Sequence, residues 1–322
     1  MNDSEFDIIK KYFSFAASRD DVVLAGGDDC AIVSVPDGQQ LLVTTDTFIS
    51  GVHFPEHTSA KDIAYKAIMV NLSDLAAMGA TPAWLTLAIS LPEVNGAWLQ
   101  AFSDEVKVIL SEFDINLIGG DTTRGDLSIT IQAMGFCERG RALRRDRAET
   151  GDKIYVTGEL GDAAIGLSAV LKNIDDDVLS YCVKKLERPE ARVRFAEALT
   201  AYSRCAIDIS DGLVADLGHI IEASHCGARI RLSDIPLSSS AEHYFREYDK
   251  NKVDWTMVLA HGDDYELCFT VSRQDQTAVE TLAERYKLRL SCIGDIVETD
   301  ELSFVDDNDS VVEFLSTGFR HF

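Results

Sequence analysis

The spacing of apolar residues in the first part of the chain predicts helices and strands in alternation. Three segments carry apolar residues at helical intervals and begin near Phe6, Lys61 and Trp98. Five shorter apolar runs are typical of strands: Ile32–Val35, Leu41–Thr47, Trp84–Leu91, the run that ends before Gly119, and Leu127–Phe136. After the first helix the order is β-β-α-β-α-β-β, which indicates an α+β domain.

The pattern begins again after a basic stretch, Arg139–Arg147, which interrupts an otherwise acidic chain. A strand followed by a glycine turn is predicted over Gly151–Gly158. The later elements are a helix near Asp162–Leu171, the strand Ala206–Asp208, a helix from about Leu213 and the strand Leu267–Val271. We therefore expect two α/β domains, 1–140 and 141–322, which is an ordinary division for 322 residues.

The composition indicates a globular protein with a large negative charge. Hydrophobic residues make up 46% of the chain and charged residues 26%, as in folded domains. Acidic residues number 54 against 30 basic ones, and the formal net charge of −24 argues against general affinity for nucleic acid or an anionic membrane. An acidic protein that handles phosphate groups must neutralise them locally, and divalent cations can do so.

The seven cysteines are scattered and form no C-x-x-C pair, so a zinc site is not expected. The segment Met1–Phe6 has neither a basic nor an apolar region that would indicate a secretory signal. No apolar run reaches the length that spans a membrane. A cytoplasmic location without membrane contact is therefore the expectation.

The most distinctive stretch is Leu117–Gly125, in which a short strand runs into Gly119, Gly120 and Asp121. The two glycines are expected to allow a tight bend that presents the Asp121 carboxylate. Bare backbone, a carboxylate, hydroxyls and Arg124 suit phosphate and a divalent metal, although a Gly-Gly-Asp turn is more often an ordinary strand exit. Similar aspartate-bearing turns occur at Gly26–Ala31, Thr44–Asp46, Asp208–Asp211 and Gly262–Leu267. This recurrence favours the functional interpretation.

Two of these acidic groups are expected to meet. Pro36–Gly38 predicts a turn that makes the strands on either side of it a hairpin. The open end of that hairpin would bring Asp29 close to Thr44–Asp46. Asp74 is a separate case, because it lies in Asn71–Ala80, a stretch of small and apolar residues. On a surface helix this aspartate needs no explanation, whereas in a buried helix its carboxylate needs a partner such as a metal.

No P-loop and no glycine fingerprint of the Rossmann kind occurs, but seven other motifs follow one another along the chain. They are Gly27-Asp-Asp-Cys-Ala31, Val43-Thr-Thr-Asp-Thr47, His53-Phe54, Asn71-Leu-Ser-Asp-Leu-Ala-Ala-Met-Gly-Ala80, Ile118-Gly-Gly-Asp-Thr122, Asp208-Ile-Ser-Asp-Gly-Leu213 and Gly262–Leu267. Together, and over essentially the whole chain, they resemble thiamine-monophosphate kinase, a family of the aminoimidazole ribonucleotide synthetase superfamily.

The resemblance implies a two-domain α+β fold of the aminoimidazole ribonucleotide synthetase type. It implies a homodimer in which the N-terminal sheets of two subunits complete a barrel. The implied reaction is Mg²⁺-dependent transfer of the γ-phosphoryl group of ATP to thiamine monophosphate, which gives thiamine diphosphate and ADP. An ATP site that uses residues of both domains is expected in the cleft between them.

The resemblance also implies a role for individual residues. The implied magnesium ligands are Asp29, Thr44, Thr45, Asp46, Asp74, Asp121, Asp208 and Asp211. The implied ATP contacts are Gly120, Asp121, Arg145 and Ser210. The implied contacts to the thiamine substrate are His53, Asp263 and Phe319.

One motif departs from the family. Where the family usually has G-G-E-D-Y-E-L, this chain has H-G-D-D-Y-E-L from His261 to Leu267, so Asp263 is one methylene shorter than the usual glutamate. The chemistry otherwise fits, because phosphoryl transfer needs positioning and charge stabilisation more than covalent help. A phosphate monoester is largely deprotonated at neutral pH, since its second pKa is about 6. We therefore expect neither a general base nor a phosphorylated enzyme, and His53 is interpreted as a substrate contact.

Two other interpretations remain open. One is another ATP-dependent synthetase of the same superfamily, which would phosphorylate an amide oxygen or make selenophosphate. A selenophosphate enzyme should carry a reactive cysteine in a glycine-rich segment, whereas Cys30 lies at the start of an apolar strand. The other is a non-catalytic divalent-metal-binding module, for which tandem repetition of one loop would be expected and is not found.

Overall fold

A computed structural model of the chain describes residues 4–312, which fold into two compact units. The first unit contains the described residues up to Leu75 together with Ala80–Gly140. The second contains Ala76–Gly79 and the described residues from Arg141 onwards. Within residues 4–312, no helix is both long and apolar enough to cross a membrane.

The first unit begins with a short helical segment. Helix α1 covers Glu5–Ile8 and continues as a π-helical turn over Ile9–Phe13, so the helical segment ends before the last residue of the predicted pattern, Ala17. The predicted cap is confirmed. Ser4 Oγ accepts a hydrogen bond from the N–H of Asp7 at 3.3 Å, and the Asp7 carboxylate accepts one from the N–H of Ser4 at 3.0 Å.

The hairpin predicted between Ile32–Val35 and Leu41–Thr47 is wrong. Strand β2 (Ile32–Val33) pairs instead with β1 (Val22–Leu24), in an antiparallel ribbon. Strand β3 (Gln39–Ile49) pairs along all 11 of its residues with a later strand, Ser128–Glu138. A partner of equal length satisfies the whole ladder of a long strand, which a two-residue strand cannot do. The reason for expecting Asp29 beside Asp46 is therefore lost.

A four-stranded sheet forms most of the first unit. Strands β4 (Thr81–Leu91), β5 (Asn116–Arg124) and β6 (Ser128–Glu138) join β3 in the order β3-β6-β4-β5, with β4 and β5 parallel and the other pairs antiparallel. Helix α2 (Ala60–Ala77) connects β3 to β4, and α3 (Gly96–Glu112) connects β4 to β5. From β2 onwards this is the predicted order β-β-α-β-α-β-β, and β1 is an additional strand that was not predicted.

Strand β5 runs straight through the Gly-Gly-Asp segment, so the tight bend predicted there is wrong. The glycines accompany a β-bulge instead, because Ile118 is an extra residue between two successive pairs of β5 with β4. At Gly120, φ is 153° and a Cβ would lie 1.9 Å from the carbonyl oxygen of Leu87. Only glycine allows the two strands to approach each other this closely.

The second unit contains a seven-stranded sheet. Its strands are β7 (Lys153–Thr157), β8 (Cys205–Asp208), β9 (Gly227–Arg231), β10 (Leu267–Val271), β11 (Leu290–Val297), β12 (Leu302–Val305) and β13 (Val311–Val312). The spatial order is β13-β12-β9-β11-β7-β10-β8, and only β12 and β9 run parallel among these pairs. Three of the strands, β7, β8 and β10, match the predicted strands.

The helices described in the second unit are α4 (Asp162–Lys172), α5 (Ser180–Glu187), α6 (Val193–Leu199), α7 (Leu213–Ser224), α8 (Ser239–Tyr248), α9 (Trp255–Ala260) and α10 (Gln276–Tyr286). Short 3₁₀ helices cover Asp177–Leu179 and Leu232–Asp234. The predicted start of a helix at about Leu213 is confirmed by α7. Ile207 of β8 and Leu217 of α7 are buried in one core cluster with Ile154 of β7, which fixes the loop between β8 and α7 on the sheet.

Candidate active site

Three polar side chains of the first unit meet where β3 faces α2. Thr44 Oγ1 donates a hydrogen bond to Oδ2 of Asp74, and Asp46 lies beside the same carboxylate. Thr44 and Asp46 share one face of β3 because side chains alternate along a strand. Asp74 is only partly exposed, so it is not an ordinary residue of a surface helix.

The environment of the Asp46 carboxylate disfavours its charge. Burial raises the pKa of Asp46 to about 6, and the neighbouring Asp74 carboxylate adds to the rise. Asp46 Oδ2 is buried and has no hydrogen-bond partner among residues 4–312. An orphaned carboxylate oxygen beside a second carboxylate and the hydroxyl of Thr44 is a set of hard oxygen donors, which fits a magnesium ion.

Gly120 and Asp121 lie at the opposite edge of the same sheet. The strand register gives one row across the four strands: Asp46, Ile131, Leu87 and Gly120. Three strand spacings of ~4.8 Å place the two ends of this row ~14 Å apart. Asp121 is exposed and follows Gly120, so its side chain belongs to the other face of the sheet. Asp46 and Asp121 of one chain therefore belong to two separate groups and cannot share one ion.

Two further predicted ligands of the first unit have other surroundings. Asp29 is exposed, and its N–H donates a hydrogen bond to Oδ1 of Asp28 at 2.8 Å. Thr45 lies on the face of β3 opposite Asp46 and accepts a long hydrogen bond of 3.4 Å from Nε2 of Gln132. The structure brings neither residue into the cluster of Thr44, Asp46 and Asp74.

His53 lies just after β3, where one of its ring nitrogens already has a partner. The N–H of Ile49 donates a hydrogen bond to His53 Nδ1 at 3.1 Å, and the ring centroid lies 5.5 Å from that of Phe48. A backbone N–H can only meet a lone pair, so the neutral ring carries its proton on Nε2. Nε2 is therefore a hydrogen-bond donor in the neutral form of His53.

The basic stretch contains two neighbouring arginines with different surroundings. Arg144 binds Asp146 through two hydrogen bonds, of 2.8 Å from Nε and 2.6 Å from Nη2. Arg145 is exposed, and its guanidinium makes no hydrogen bond or ion pair with the described part of the chain. Its carbonyl oxygen accepts a hydrogen bond from Ser224 Oγ at 2.8 Å, which fixes the backbone at this point. Of the two arginines, Arg145 is therefore the one available to an anion.

In the second unit, Asp208 ends β8 and the loop Ile209–Gly212 leads into α7. Asp208 is buried, and the side chains of Ser210 and Asp211 are half-buried. Oδ2 of Asp216, in the first turns of α7, accepts hydrogen bonds from the N–H groups of Ser210 at 3.0 Å and Asp211 at 3.1 Å. Burial raises the pKa of Asp216 to about 7, and the charge of Asp211 adds to the rise.

The loop that carries Asp263 is bonded to this first loop. The N–H of Asp263 donates a hydrogen bond to the carbonyl oxygen of Ser210, and the N–H of Tyr265 donates one to that of Ile209, both at 2.8 Å. Asp263 and Tyr265 have φ angles of 68° and 51°, in the left-handed region that side chains rarely adopt. Such a conformation persists only where surrounding contacts hold it, and these two hydrogen bonds are among them.

Two acidic residues hold the other side of the same loop. Asp264 accepts hydrogen bonds from the N–H of Gly161 with both carboxylate oxygens, at 3.0 and 3.1 Å, and burial raises its pKa well above the ordinary value. Glu266 is buried, accepts a hydrogen bond of 2.6 Å from Thr157 Oγ1 and pairs through both oxygens with Arg192. The loop with the shortened acidic side chain is thus fixed from three directions.

Sequence reasoning assigned no role to Asp216, Asp264 or Glu266. The signal for Asp216 is its position in the first turns of a helix that follows an Asp-Gly pair, where a carboxylate can reach back to the preceding loop. Asp264 and Glu266 are part of the H-G-D-D-Y-E-L motif, but the motif does not say which groups they contact. Their partners, Gly161 and Arg192, are more than 70 residues away in sequence.

The structure does not directly test the predicted substrate contact of Phe319 or the predicted binding of magnesium. Phe319 lies outside residues 4–312. In that described part of the chain, no group of three or more acidic, histidine or cysteine side chains is arranged to hold a metal ion by itself. The predicted ligands that are brought together are Thr44, Asp46 and Asp74, on one side of the first unit's sheet. In the second unit, Asp208 ends β8 and Asp211 lies in the loop that follows it.

Family models match most of the chain. The N-terminal domain of AIR synthase related protein matches residues 27–137, and the C-terminal domain matches residues 149–307. The thiamine-monophosphate kinase of Haemophilus influenzae is 44% identical over 324 residues, which cover 99% of this chain and 98% of that protein. Both domains are thus matched in order.

Solved structures show the same architecture. The thiamine-monophosphate kinase from Stenotrophomonas maltophilia K279a is 44% identical and superposes with a TM-score of 0.84, over 89% of this chain and 92% of that one. The structure described as AaThiL complexed with AMPPCP and TMP is 30% identical and has a TM-score of 0.78, over 92% of this chain and 91% of that one.

Proposed function

The chain belongs to the AIR synthase related family, among the thiamine-monophosphate kinases, and we propose that its phosphoryl transfer from ATP to thiamine monophosphate is direct and Mg²⁺-dependent. The products are thiamine diphosphate and ADP. Identity of 44% along the full chain confirms the family that the sequence motifs indicate. The two-domain fold of mixed helices and sheets matches that of the relative complexed with AMPPCP and TMP.

The observation that carries the magnesium dependence is the buried, unpartnered Oδ2 of Asp46 beside the Asp74 carboxylate. Two carboxylates in contact at a partly buried place are unfavourable unless a proton or a cation lies between them. At neutral pH a divalent cation with oxygen ligands answers this need, and the adjacent hydroxyl of Thr44 adds a third donor. Thr44, Asp46 and Asp74 would hold one ion.

The other proposed ligands belong to separate places. Asp29, Thr45 and Asp121 would serve further ions in the first unit, since the register separates Asp121 from Asp46. Asp208 and Asp211 would serve the second unit. When bound, magnesium would neutralise the repulsion between ATP and the anionic acceptor, which is ~4 kcal/mol for two unit charges ~4 Å apart at an effective dielectric of ~20.

Proton transfer is not required of this chain. The acceptor phosphate has a second pKa of about 6 and is largely deprotonated at neutral pH. His53 fits this account, because Nδ1 accepts from the N–H of Ile49 and the neutral ring offers a donor at Nε2. His53 would therefore orient an oxygen of the thiamine substrate rather than remove a proton. Asp263 and Phe319 are the other proposed substrate contacts.

Both units are proposed to contribute contacts to the nucleotide. Gly120 and Asp121 offer an exposed strand edge with bare backbone, and Arg145 offers an unpaired guanidinium. Ser210 offers a hydroxyl in the loop before α7. A ligand that binds only the native protein stabilises it by RT ln(1 + [L]/Kd), which is about 2.7 kcal/mol at a hundredfold excess over Kd.

This stabilisation gives a test of the two-unit proposal. Mg²⁺ with AMPPCP should raise the melting temperature, and Asp121→Ala and Asp208→Ala should each reduce the rise. AMPPCP without metal should do little, because its charge would face uncompensated carboxylates. An unchanged rise in Asp208→Ala would contradict a nucleotide contact from the second unit.

A homodimer that completes a barrel is also proposed. Strands β3 and β5 are the edges of the four-stranded sheet. On the face away from α2, β3 exposes three apolar side chains, Leu41, Val43 and Ile49, by 41, 53 and 41%. An exposed apolar edge strand is normally covered, and a second copy of the sheet would cover this one.

Val43→Asp should therefore convert a dimer into a monomer, measured as molar mass by light scattering. Val108→Asp is the matched control, because Val108 is 59% exposed on α3 of the same unit and is outside the sheet. A wild-type chain that elutes as a monomer, or a Val43→Asp variant that stays dimeric, would contradict the proposed interface. The cytoplasmic location expected from the sequence remains a prediction.

The function is tested by following products. Purified protein with ATP, thiamine monophosphate and Mg²⁺ should form thiamine diphosphate and ADP in equal amounts, and removal of Mg²⁺ by a chelator should stop the reaction. ATP turnover only with another acceptor would favour a different synthetase of the superfamily. Mg²⁺ binding without any ATP turnover would favour a non-catalytic metal-binding module.

A further inference from the structure

Asp216 is a buried carboxylate to which the proposed reaction assigns no part. It is 3% exposed, lies in the first turns of α7, and its Oδ2 accepts hydrogen bonds from the N–H groups of Ser210 at 3.0 Å and Asp211 at 3.1 Å. It makes no ion pair within the described part of the chain, and the like charge of Asp211 acts on it unfavourably. A buried carboxylate in such surroundings is costly unless its hydrogen bonds are important.

The two hydrogen bonds fix the direction in which the loop presents its side chains. An N–H lies in the plane of its peptide group, so binding of both N–H groups to one oxygen orients two successive peptide planes. The Cα–Cβ bonds of Ser210 and Asp211 are attached to these planes and are oriented with them. Both N–H groups bind inward to Asp216, which leaves the two side chains half-buried at the loop surface.

The opposite side of the same loop is bonded as well. The carbonyl oxygen of Ser210 accepts a hydrogen bond from the N–H of Asp263 at 2.8 Å. Gly262 packs against this loop so closely that a Cβ there would lie 2.1 Å from the same carbonyl oxygen, at a φ of +71°. The peptide groups of Ser210 thus connect Asp216 on one side to the loop of the proposed substrate contact on the other.

We propose that Asp216 is a positioning residue for phosphoryl transfer: its carboxylate holds Ser210 and Asp211 in the orientation that meets the metal-bound nucleotide, and through the Ser210 carbonyl it also supports the loop of Asp263. This inference rests on the proposed roles of Ser210 and Asp211. In this proposal Asp216 acts through the backbone N–H groups that its Oδ2 accepts and contacts neither substrate nor metal.

Two substitutions separate positioning from charge. Asp216→Asn keeps an amide oxygen that can accept both N–H groups, whereas Asp216→Ala removes the acceptor. Residues that orient the ligands of a metal typically change affinity or activity about 10–100-fold when they are lost. Asp216→Ala should therefore weaken Mg²⁺–AMPPCP binding and lower kcat/KM by about 10–100-fold, and Asp216→Asn should recover most of both.

A matched control exists in the same unit. Asp306 Oδ1 also accepts two backbone hydrogen bonds, from the N–H groups of Asn308 at 2.8 Å and Ser310 at 2.9 Å, in a loop that carries none of the proposed site residues. Asp306→Ala should alter neither nucleotide affinity nor kcat/KM. Amide hydrogen exchange should rise at Ser210 and Asp211 in Asp216→Ala, and at Asn308 and Ser310 in Asp306→Ala.

The measurements are calorimetric titration with Mg²⁺ and AMPPCP, amide exchange in the absence of ligand, and steady-state kinetics of the full chain. A wild-type chain without kinase activity would refute the proposed function. With an active wild type, normal nucleotide affinity and normal exchange at residues 210 and 211 in Asp216→Ala would refute the positioning role alone. Failure of Asp216→Asn to recover affinity would also overturn it, because the charge rather than the acceptor would then be required.

Discussion

Replacing Asp74 by asparagine should separate the stability of the metal-free fold from the binding of metal-bound nucleotide. Asparagine keeps an oxygen that can accept the hydrogen bond of Thr44 Oγ1, but it removes a negative charge beside Asp46. The rise in the pKa of Asp46 from 3.8 to about 6 corresponds to about 3 kcal/mol against its ionised form. Burial is the larger cause and Asp74 the second. Without metal, Asp74→Asn should therefore leave the free energy of unfolding at pH 7 unchanged or raise it by about 1 kcal/mol.

The effect on activity should have the opposite sign. One unit charge ~4 Å from a cation at an effective dielectric of ~20 is worth ~4 kcal/mol, which corresponds to about a thousandfold in rate. Screening and the remaining ligands reduce this value, so we expect turnover to fall by about 100-fold or more. The two assays are urea unfolding in the presence of a chelator, and steady-state formation of thiamine diphosphate over a range of Mg²⁺ concentrations.

The control is Asp104→Asn, which removes the same charge from an exposed position on α3 and should change neither quantity. The reasoning about Asp74 would be refuted by a variant that is destabilised without metal yet turns over normally at limiting Mg²⁺. That result would make Asp74 a structural partner of Thr44 rather than a ligand.

Three further predictions concern the framework of the site. Gly120→Ala should destabilise the fold and weaken nucleotide binding, because a Cβ would lie 1.9 Å from a carbonyl oxygen of β4. Urea unfolding and calorimetry measure the two effects. Gly119→Ala is the control and should be tolerated, because the nearest atom to its Cβ would be 4.0 Å away. Arg192→Met leaves the buried Glu266 carboxylate without its main partner and should lower the free energy of unfolding by roughly 3–5 kcal/mol. The double variant with Glu266→Gln should recover more than half of this loss, because the buried charge is then removed as well. Asp21→Asn should lower the free energy of unfolding at pH 7 by about 1.5–3 kcal/mol. Hydrogen bonds from Arg19 and Trp84 depress the pKa of Asp21. Because their stabilisation is lost as the pH falls through the folded pKa of Asp21, the difference in the free energy of unfolding should shrink below pH 4 in urea titrations.

The order of the elements could be predicted from the sequence because it depends on local periodicity. Strand β10 has the predicted bounds Leu267–Val271, and α2 ends at Ala77, two residues before Gly79, whose φ of +69° matches the role of a glycine after a helix. Pairing between strands was not predictable in the same way. The ribbon of β1 and β2 replaced the expected hairpin because β3 found a partner of its full length some 90 residues away.

The Gly-Gly-Asp segment shows why a local signal can be correct in composition and wrong in conformation. Two adjacent glycines predict unusual backbone, and Gly120 does have a φ of 153°. The same backbone freedom allows either a bend or a close approach between strands. Here the carbonyl oxygen of Leu87 on β4 lies 1.9 Å from where a Cβ of residue 120 would be, so the glycine allows a close approach.

The site could be predicted in its residue types but not in its grouping. The motifs indicate which aspartates are candidates, yet the separation of Asp46 from Asp121 follows from the order β3-β6-β4-β5. The proposed role of Asp216 could not be predicted in this way, because it depends on hydrogen bonds from two backbone N–H groups. The sequence does not show which N–H groups a carboxylate accepts.

The measurement that tests the central claim most directly is a rapid-quench single turnover with ATP labelled in its γ-phosphate, thiamine monophosphate and Mg²⁺. The label should pass from ATP to the terminal phosphate of thiamine diphosphate in one step, at the rate at which ATP disappears, and no transfer should occur when a chelator removes Mg²⁺. Label that first accumulates on the protein and then leaves it at the rate of product formation, or equal transfer with and without Mg²⁺, would contradict direct metal-dependent transfer.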